Sequence, residues 1–231
     1  MPPRPRPSVV AARAFVLAAC SCRASLEQAP RDPGAKALFT TMLDWVDGMK
    51  LWPSFDPSER ALVKTPLGRL ARHDVMNASW RAEGLSVLAW ALGHRRLPPY
   101  DRLSDGPAVA ATIAFLEPEA SDLVRNAELR PVRELRWYAS VAESVLWRLR
   151  HGSRAHAAYD MRRHVASPPN ADAAPGRLRL RGHDLSIGGV AMSKVDASTR
   201  RECHSIAMER LIAARWLLGD ASRYARVGTD T

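Results

Sequence analysis

The longest apolar run with helical periodicity covers Ala78–Gly93, ASWRAEGLSVLAWALG. Leu85, Leu88 and Leu92 recur at i, i+3 and i+7, and Val87, Trp90 and Ala91 cover the adjoining faces. This is the spacing of a helix rather than the alternation of a strand. A helix that is apolar nearly all round belongs at the centre of a helical body. Gly93 is placed to cap it, and Leu97-Pro98-Pro99-Tyr100 forces an extended exit.

The same periodicity recurs along the chain, punctuated by proline. Val9–Glu27 reads as an amphipathic helix with Ser8 as N-cap and Val9, Ala12, Val16 and Ala19 on one stripe. Asp32-Pro33 opens a helix over Gly34–Leu51 whose inward side is Leu38, Met42, Trp45 and Val46. Asp56-Pro57-Ser58-Glu59 combines an N-cap, a first-turn proline and a capping-box glutamate, and Thr65-Pro66 repeats the device. A shorter helix starts near Asp105. Leu129-Arg130-Pro131 leads into Arg136–Arg150, and a last helix opens with the capping box Thr199-x-x-Glu202 and ends at Gly219. One β signal interrupts this pattern: Leu185 and Ile187, then Gly188-Gly189, then Val190 and Met192 read as a hairpin. The expected fold is mainly α: a single helical domain over 1–231, about six to eight helices, with a small β-hairpin before the C-terminal helix.

Charges inside the apolar helices are the one chemical feature that stands out. Arg81 falls on the leucine side of the central run, and Glu83 shares the angular position of Trp90. Glu143 lies on the face of Ala139, Leu146 and Trp147, and Glu209 on that of Ile212, Ala213 and Trp216. Three carboxylates on tryptophan-bearing faces could form a metal or acid–base cluster. The alternative is a structural network in which Arg81, Arg210 and Arg148 neutralise them. Helical carboxylate metal sites use Glu-x-x-His, and none of these glutamates has a histidine three residues on. The buried polar network of Arg81, Glu83, Glu143, Glu209 and Arg210 is the preferred reading, with no catalytic, cofactor-binding or metal-binding residue assigned.

Composition changes little. The 231 residues are 46% hydrophobic and 25% charged, and mean hydropathy is −0.24. A formal charge of +10 invites a polyanion partner, but thirty of the 34 basic residues are arginine, a skew that a GC-rich genome produces unaided. The charge concentrates between Arg148 and Arg181, where eight arginines face only Asp160 and Asp172. Proline and glycine break this stretch, so 151–181 reads as a basic, flexible insertion. His156 and Asp160, one turn apart, are too few ligands for a metal site.

Near the amino terminus, Leu17-Ala18-Ala19-Cys20 resembles a lipoprotein cleavage box, but Arg13 shortens the apolar stretch to Ala14–Ala19, below the length of a signal core. No run reaches the eighteen or so uncharged residues of a membrane span. Three cysteines, two of them in Cys-x-Cys, form neither a disulfide framework nor a zinc signature. A cytoplasmic location is expected. No serine sits on a Gly-x-Ser-x-Gly elbow, the phosphate-loop spacings are absent, and the seven histidines are scattered.

Four pieces carry a family resemblance: Trp80-Arg81-Ala82-Glu83 with Leu88–Gly93 and Leu97-Pro98; Leu129-Arg130 before the Trp147 helix; the Asp184–Val190 hairpin; and Glu209-Arg210-Leu211 through Trp216-Leu217 to Thr229-Asp230-Thr231. Together they resemble the bacterial family called domain of unknown function 4272. The resemblance implies a mostly helical fold, makes Val9–Glu27 an internal helix of longer relatives, and transfers no catalytic residue. The favoured function is a non-catalytic protein-interaction domain with an unidentified protein partner, no cofactor and no membrane association. The alternatives are nucleic-acid binding through 148–181, or an enzyme built on a glutamate-lined polar pocket.

Overall fold

The computed structural model describes residues 3–151, 161 and 178–228. Among these, eight α-helices precede a small antiparallel sheet and one follows it: α1 Pro7–Leu26, α2 Pro33–Gly48, α3 Pro57–Lys64, α4 Arg72–Ser79, α5 Arg81–Ala91, α6 Gly106–Thr112, α7 Ala120–Arg125, α8 Val132–Arg150, then β1 Leu180–Arg181, β2 Asp184–Ile187, β3 Val190–Ala191, and α9 Ala197–Leu218. The fold is mainly α, as expected.

Helix α5 is central. Every residue from Ala82 to Ala91 is buried, and α5 packs against α1 on one side and α9 on the other, with α8 lying along α9. Its run is shorter than the sequence implies, because the chain turns at Trp80 and Arg72–Ser79 forms a separate helix. After Leu92, Gly93 takes φ +86°. Its N–H then bonds Trp90 O at 2.9 Å and His94 N–H bonds Ala89 O at 3.0 Å, which closes the helix in a Schellman motif.

Helix α1 departs from its expected amphipathic character. It begins at Pro7 after Arg6 rather than at a Ser8 cap, and residues on all its sides are buried, Arg13 and Arg23 among them. Val9, placed on the apolar stripe, is exposed. By length and mean hydropathy (1.6) α1 would pass as a membrane span, yet 78% of that window is buried within the protein's own fold. It touches α2 through α7, and Phe15 meets Trp45 of α2 edge-on at 5.2 Å, with Phe115 against Trp45 at 5.1 Å. In α2, Met42 and Val46 are buried as expected, whereas Leu38 is exposed.

A close approach fixes Gly84 in the middle of α5. A Cβ there would overlap the Tyr224 hydroxyl and press on Leu17 Cδ1 at 3.2 Å. Helix propensity alone predicts that Gly84→Ala gains about 1 kcal/mol. Overpacking of a closed core costs about 1–3 kcal/mol, and Tyr224 is buried, with its ring under Arg13 and against Trp216. Gly84→Ala is therefore expected to lower the thermal midpoint. Adding Tyr224→Phe, which removes the overlapping hydroxyl, is expected to restore it. A rise in midpoint with the single substitution would contradict this packing.

The expected hairpin is the β2–β3 pair, with Ile187 opposite Val190 and Ser186 opposite Ala191. Gly188 (φ +57°) and Gly189 (φ +84°) supply the two left-handed residues of its turn. A third strand, β1, adds to β2 with Leu180 opposite Leu185; two residues within an arginine-rich stretch leave no alternation to read. Helix α9 starts one turn earlier than its expected capping box. Asp196 is the N-cap, accepting from Ser198 N (2.8 Å) and Thr199 N (2.9 Å), and Gly219 at φ +88° ends the helix.

Candidate functional site

The buried charges form separate, closed pairs. Glu83 Oε2 accepts from Arg210 Nε at 2.8 Å and Nη2 at 2.7 Å, and from Ser104 Oγ at 2.9 Å; Oε1 accepts from Ser104 N at 2.7 Å. Arg210 also donates to the carbonyls of Pro99 (2.9 Å), Pro98 (3.3 Å) and Arg102 (2.7 Å). The guanidinium and the carboxylate are each saturated, and together they hold the backbone of residues 98–104 against α5 and α9.

Three other pairs pin loops in the same way, and the sequence reading missed all three, having set Arg148 against the helix glutamates. Arg13 grips Glu59 with both Nη atoms, at 2.8 Å for Nη1–Oε2, and reaches Ser54 O at 3.3 Å. Glu59 is also the capping-box residue, accepting from Asp56 N at 3.0 Å. Arg23, fully buried, donates to Thr65 O, Pro66 O and Glu27 Oε2, while Glu27 accepts from Gly68 N (3.0 Å) and Leu70 N (2.9 Å). Arg148 pairs with Asp184 at 2.7 Å, and Asp184 accepts from Leu185 N and Ser193 N. In each, the arginine or the acid also bonds the backbone of a connecting segment, which satisfies polar groups that would otherwise be buried unpaired.

The remaining expected members sit apart. Glu209 meets Arg81 Nη1 at 3.0 Å (Oε2) and 3.4 Å (Oε1). Burial pushes the Glu209 carboxyl above its ordinary range, and the Arg81 charge opposes this without reversing it. Glu143 is half-exposed rather than buried, and its partner is Arg215 of α9, not Arg148. The three glutamates thus do not converge on one cavity. Among the described residues no three His, Cys, Asp or Glu side chains cluster closely enough to hold a metal ion. His156 and Asp160 lie outside the described residues, as does most of the 151–181 stretch.

Nucleophiles are equally contained. Burial pushes the Cys20 thiol up to about 12 and those of Cys22 and Cys203 up to about 11, so all three stay protonated at neutral pH. Ser144 Oγ donates back to Ser140 O within its own helix at 2.8 Å.

Three carboxylates shift downward, Asp196 at the exposed N-cap of α9 and, inside the fold, Glu27 and Asp184. At Glu27 burial raises the pKa, but the Gly68 and Leu70 amides and Arg23 outweigh it; at Asp184 burial is outweighed by Arg148 and the Ser193 and Leu185 amides. A carboxyl whose folded pKa lies below its unfolded value contributes stability that is present above the unfolded pKa and lost as pH falls through the folded one. The urea midpoint is therefore expected to fall progressively as pH drops below about 4.5, and Asp184→Asn is expected to flatten part of that acid limb. An acid limb unchanged by that substitution would contradict the pairing.

Among the described residues a cleft of about 930 Å³ opens between the end of α5, residues 96–100, α8, the start of the sheet and α9. Trp90 and Tyr138 stand on its wall with ring centroids 5.0 Å apart. Arg130 caps α5, donating through Nε to Trp90 O at 2.7 Å, and pairs with Glu134 at 3.2 Å. The Tyr100 hydroxyl sits between the carbonyls of Arg179 and Ser186, tying the sheet to the cleft wall. Arg96, Arg133 and Arg179 also line the cleft. Their side chains make no hydrogen bond or ion pair to another described residue. No single signal in the sequence marks these three, because the arginine-rich composition hides them.

The family model described as Domain of unknown function (DUF4272) matches residues 4–164. The chain belongs to this family. The match takes in α1 through α8 and, at the cleft, Arg96, Arg130 and Arg133, so in this DUF4272 chain the first two pieces of the resemblance lie inside the matched span. The hairpin and the α9 piece lie beyond it. No curated relative and no solved structure matches the chain.

Proposed function

We propose that this DUF4272 protein is a non-catalytic protein-interaction domain acting in the cytoplasm, and that the arginine-lined cleft is its recognition surface. The observation that carries the reading is the contrast between two sets of charges. The buried carboxylates that could serve acid–base chemistry are bound to guanidinium groups, whereas the side chains of Arg96, Arg133 and Arg179 have no hydrogen-bond or ion-pair partner among the described residues around an aromatic-walled cleft. Concave sites with convergent polar groups are where binding concentrates. Three free cysteines agree with a reducing compartment.

The test is affinity capture from a host lysate with the wild-type chain and with Arg133→Glu/Arg179→Glu. Retention of a stoichiometric protein by the wild type, and its loss with the variant, supports the reading. If neither form retains a protein in repeated captures, or the variant retains it as well as the wild type, the reading fails. A retained oligonucleotide in place of a protein would instead favour the nucleic-acid alternative.

A further inference from the structure

We infer that the occupant of the cleft is an extended, acidic peptide segment of the partner that carries at least one apolar side chain between its carboxylates. This rests on the interaction reading above and adds the chemistry of what is bound.

Charge sets the sign. Glu134 is held by Arg130 and the Arg210 charge is taken up by Glu83, so Arg96, Arg133 and Arg179 remain without an internal counter-charge among the described residues. Uncompensated like charges around a partly apolar cleft focus a positive potential and favour an anionic guest.

Shape sets the length. The cleft follows α8 from Arg133 to Val145, a distance of about 18 Å at 1.5 Å per residue. An extended chain covers that with about five or six residues. Side chains rather than backbone must do the recognising, because Pro98 and Pro99 have no N–H and their carbonyls already accept from Arg210. The Pro98–Pro99 wall therefore offers no ladder for strand addition, and recognition there falls to guanidinium–carboxylate bonds, which are strong and directional, with the apolar side of α8 taking the side chain between them. A stacked nucleobase fits less well. Trp90 and Tyr138 are 7% and 8% exposed and tilted 49° against each other, so neither offers the open ring face that single-stranded nucleic acid uses, and only the half-buried rings of Trp137 and Tyr100 remain.

The test is selection of a random displayed dodecapeptide library on the wild-type chain, followed by titration of the selected peptides by calorimetry. The expected result is enrichment of sequences with two or more Asp or Glu within six residues around an apolar one. Changing those acids to Asn or Gln should weaken binding about tenfold or more, the range for lost charge-assisted bonds. Arg133→Glu/Arg179→Glu should do the same while its melting temperature stays at the wild-type value, since both side chains are exposed. The inference is overturned by enrichment of basic or uncharged peptides, by equal binding of the amide versions, by no enrichment at all, or by an oligothymidylate or ATP binding more tightly than every selected peptide. A lysate partner that depends on the cleft but docks through a neutral segment would sink this inference alone and leave the interaction reading standing.

Discussion

Arg210→Ala is expected to destabilise the fold by about 3–5 kcal/mol, the cost of leaving a buried carboxylate without its partner. Glu83 is 1% exposed, and on losing Arg210 it would keep only the Ser104 amide and hydroxyl. The same change strips donors from the carbonyls of Pro98, Pro99 and Arg102, each of which then faces the interior with one bond fewer. Urea unfolding at neutral pH reads the loss as a lowered midpoint. Arg210→Lys is expected to fall in between, since an ammonium has three donors where the guanidinium here uses five. A loss below about 1 kcal/mol for the alanine variant would mean that the pair is no internal cement.

The second large effect is expected at Arg13. Its fork holds Glu59, its Nη1 reaches the Ser54 carbonyl, and its plane covers the Tyr224 ring at 4.4 Å. Arg13→Ala removes all three at a position 4% exposed and leaves Glu59 as a buried charge, so a cost of about 3–5 kcal/mol is again expected. Glu59→Gln should cost less, about 1–3 kcal/mol, because the amide oxygen can still accept from Asp56 N and preserve the cap of α3. Urea titrations of both variants decide the order. A glutamine variant as damaged as the alanine one would show that the charged pair with α1, rather than capping, dominates at Glu59.

These residues also show where sequence reasoning reached and where it stopped. The Asp56-Pro57-Ser58-Glu59 signal is legible because a cap depends on local spacing, and α3 starts there. That the same Glu59 pairs with Arg13 is a contact between residues 46 positions apart, and no periodicity encodes it. Arg13 was visible only as an interruption of an apolar run. An amphipathic reading gives the helix a solvated face, whereas the guanidinium is neutralised inside and most of the helix from Val10 to Leu26 is buried. Pairing inside the expected network failed for a similar reason. Arg148 follows Glu143 by five residues, which puts the two about 140° apart on their helix and out of mutual reach. Arg215 of the neighbouring α9 takes Glu143 instead, and Arg148 turns to the sheet. The Gly188-Gly189 turn was legible from composition, but β1 and the cleft were not, because both depend on how distant segments meet.

The cleft arginines are the clearest instance. Arg96, Arg133 and Arg179 come from a loop, a helix and a strand edge, and only the packing of α8 on α9 brings them round one opening. The buried pair of Arg210 and Glu83 anchors the wall that faces them, so the stability of the pair and the shape of the cleft are linked through residues 98–104.

The most direct test of this account is a double-mutant cycle on Glu83 and Arg210, read by urea unfolding of Glu83→Ala, Arg210→Ala and the combined variant. The account predicts that the double variant loses far less than the two single losses together, with a coupling free energy of about 2–3 kcal/mol. Losses that add to within about 0.5 kcal/mol would contradict it.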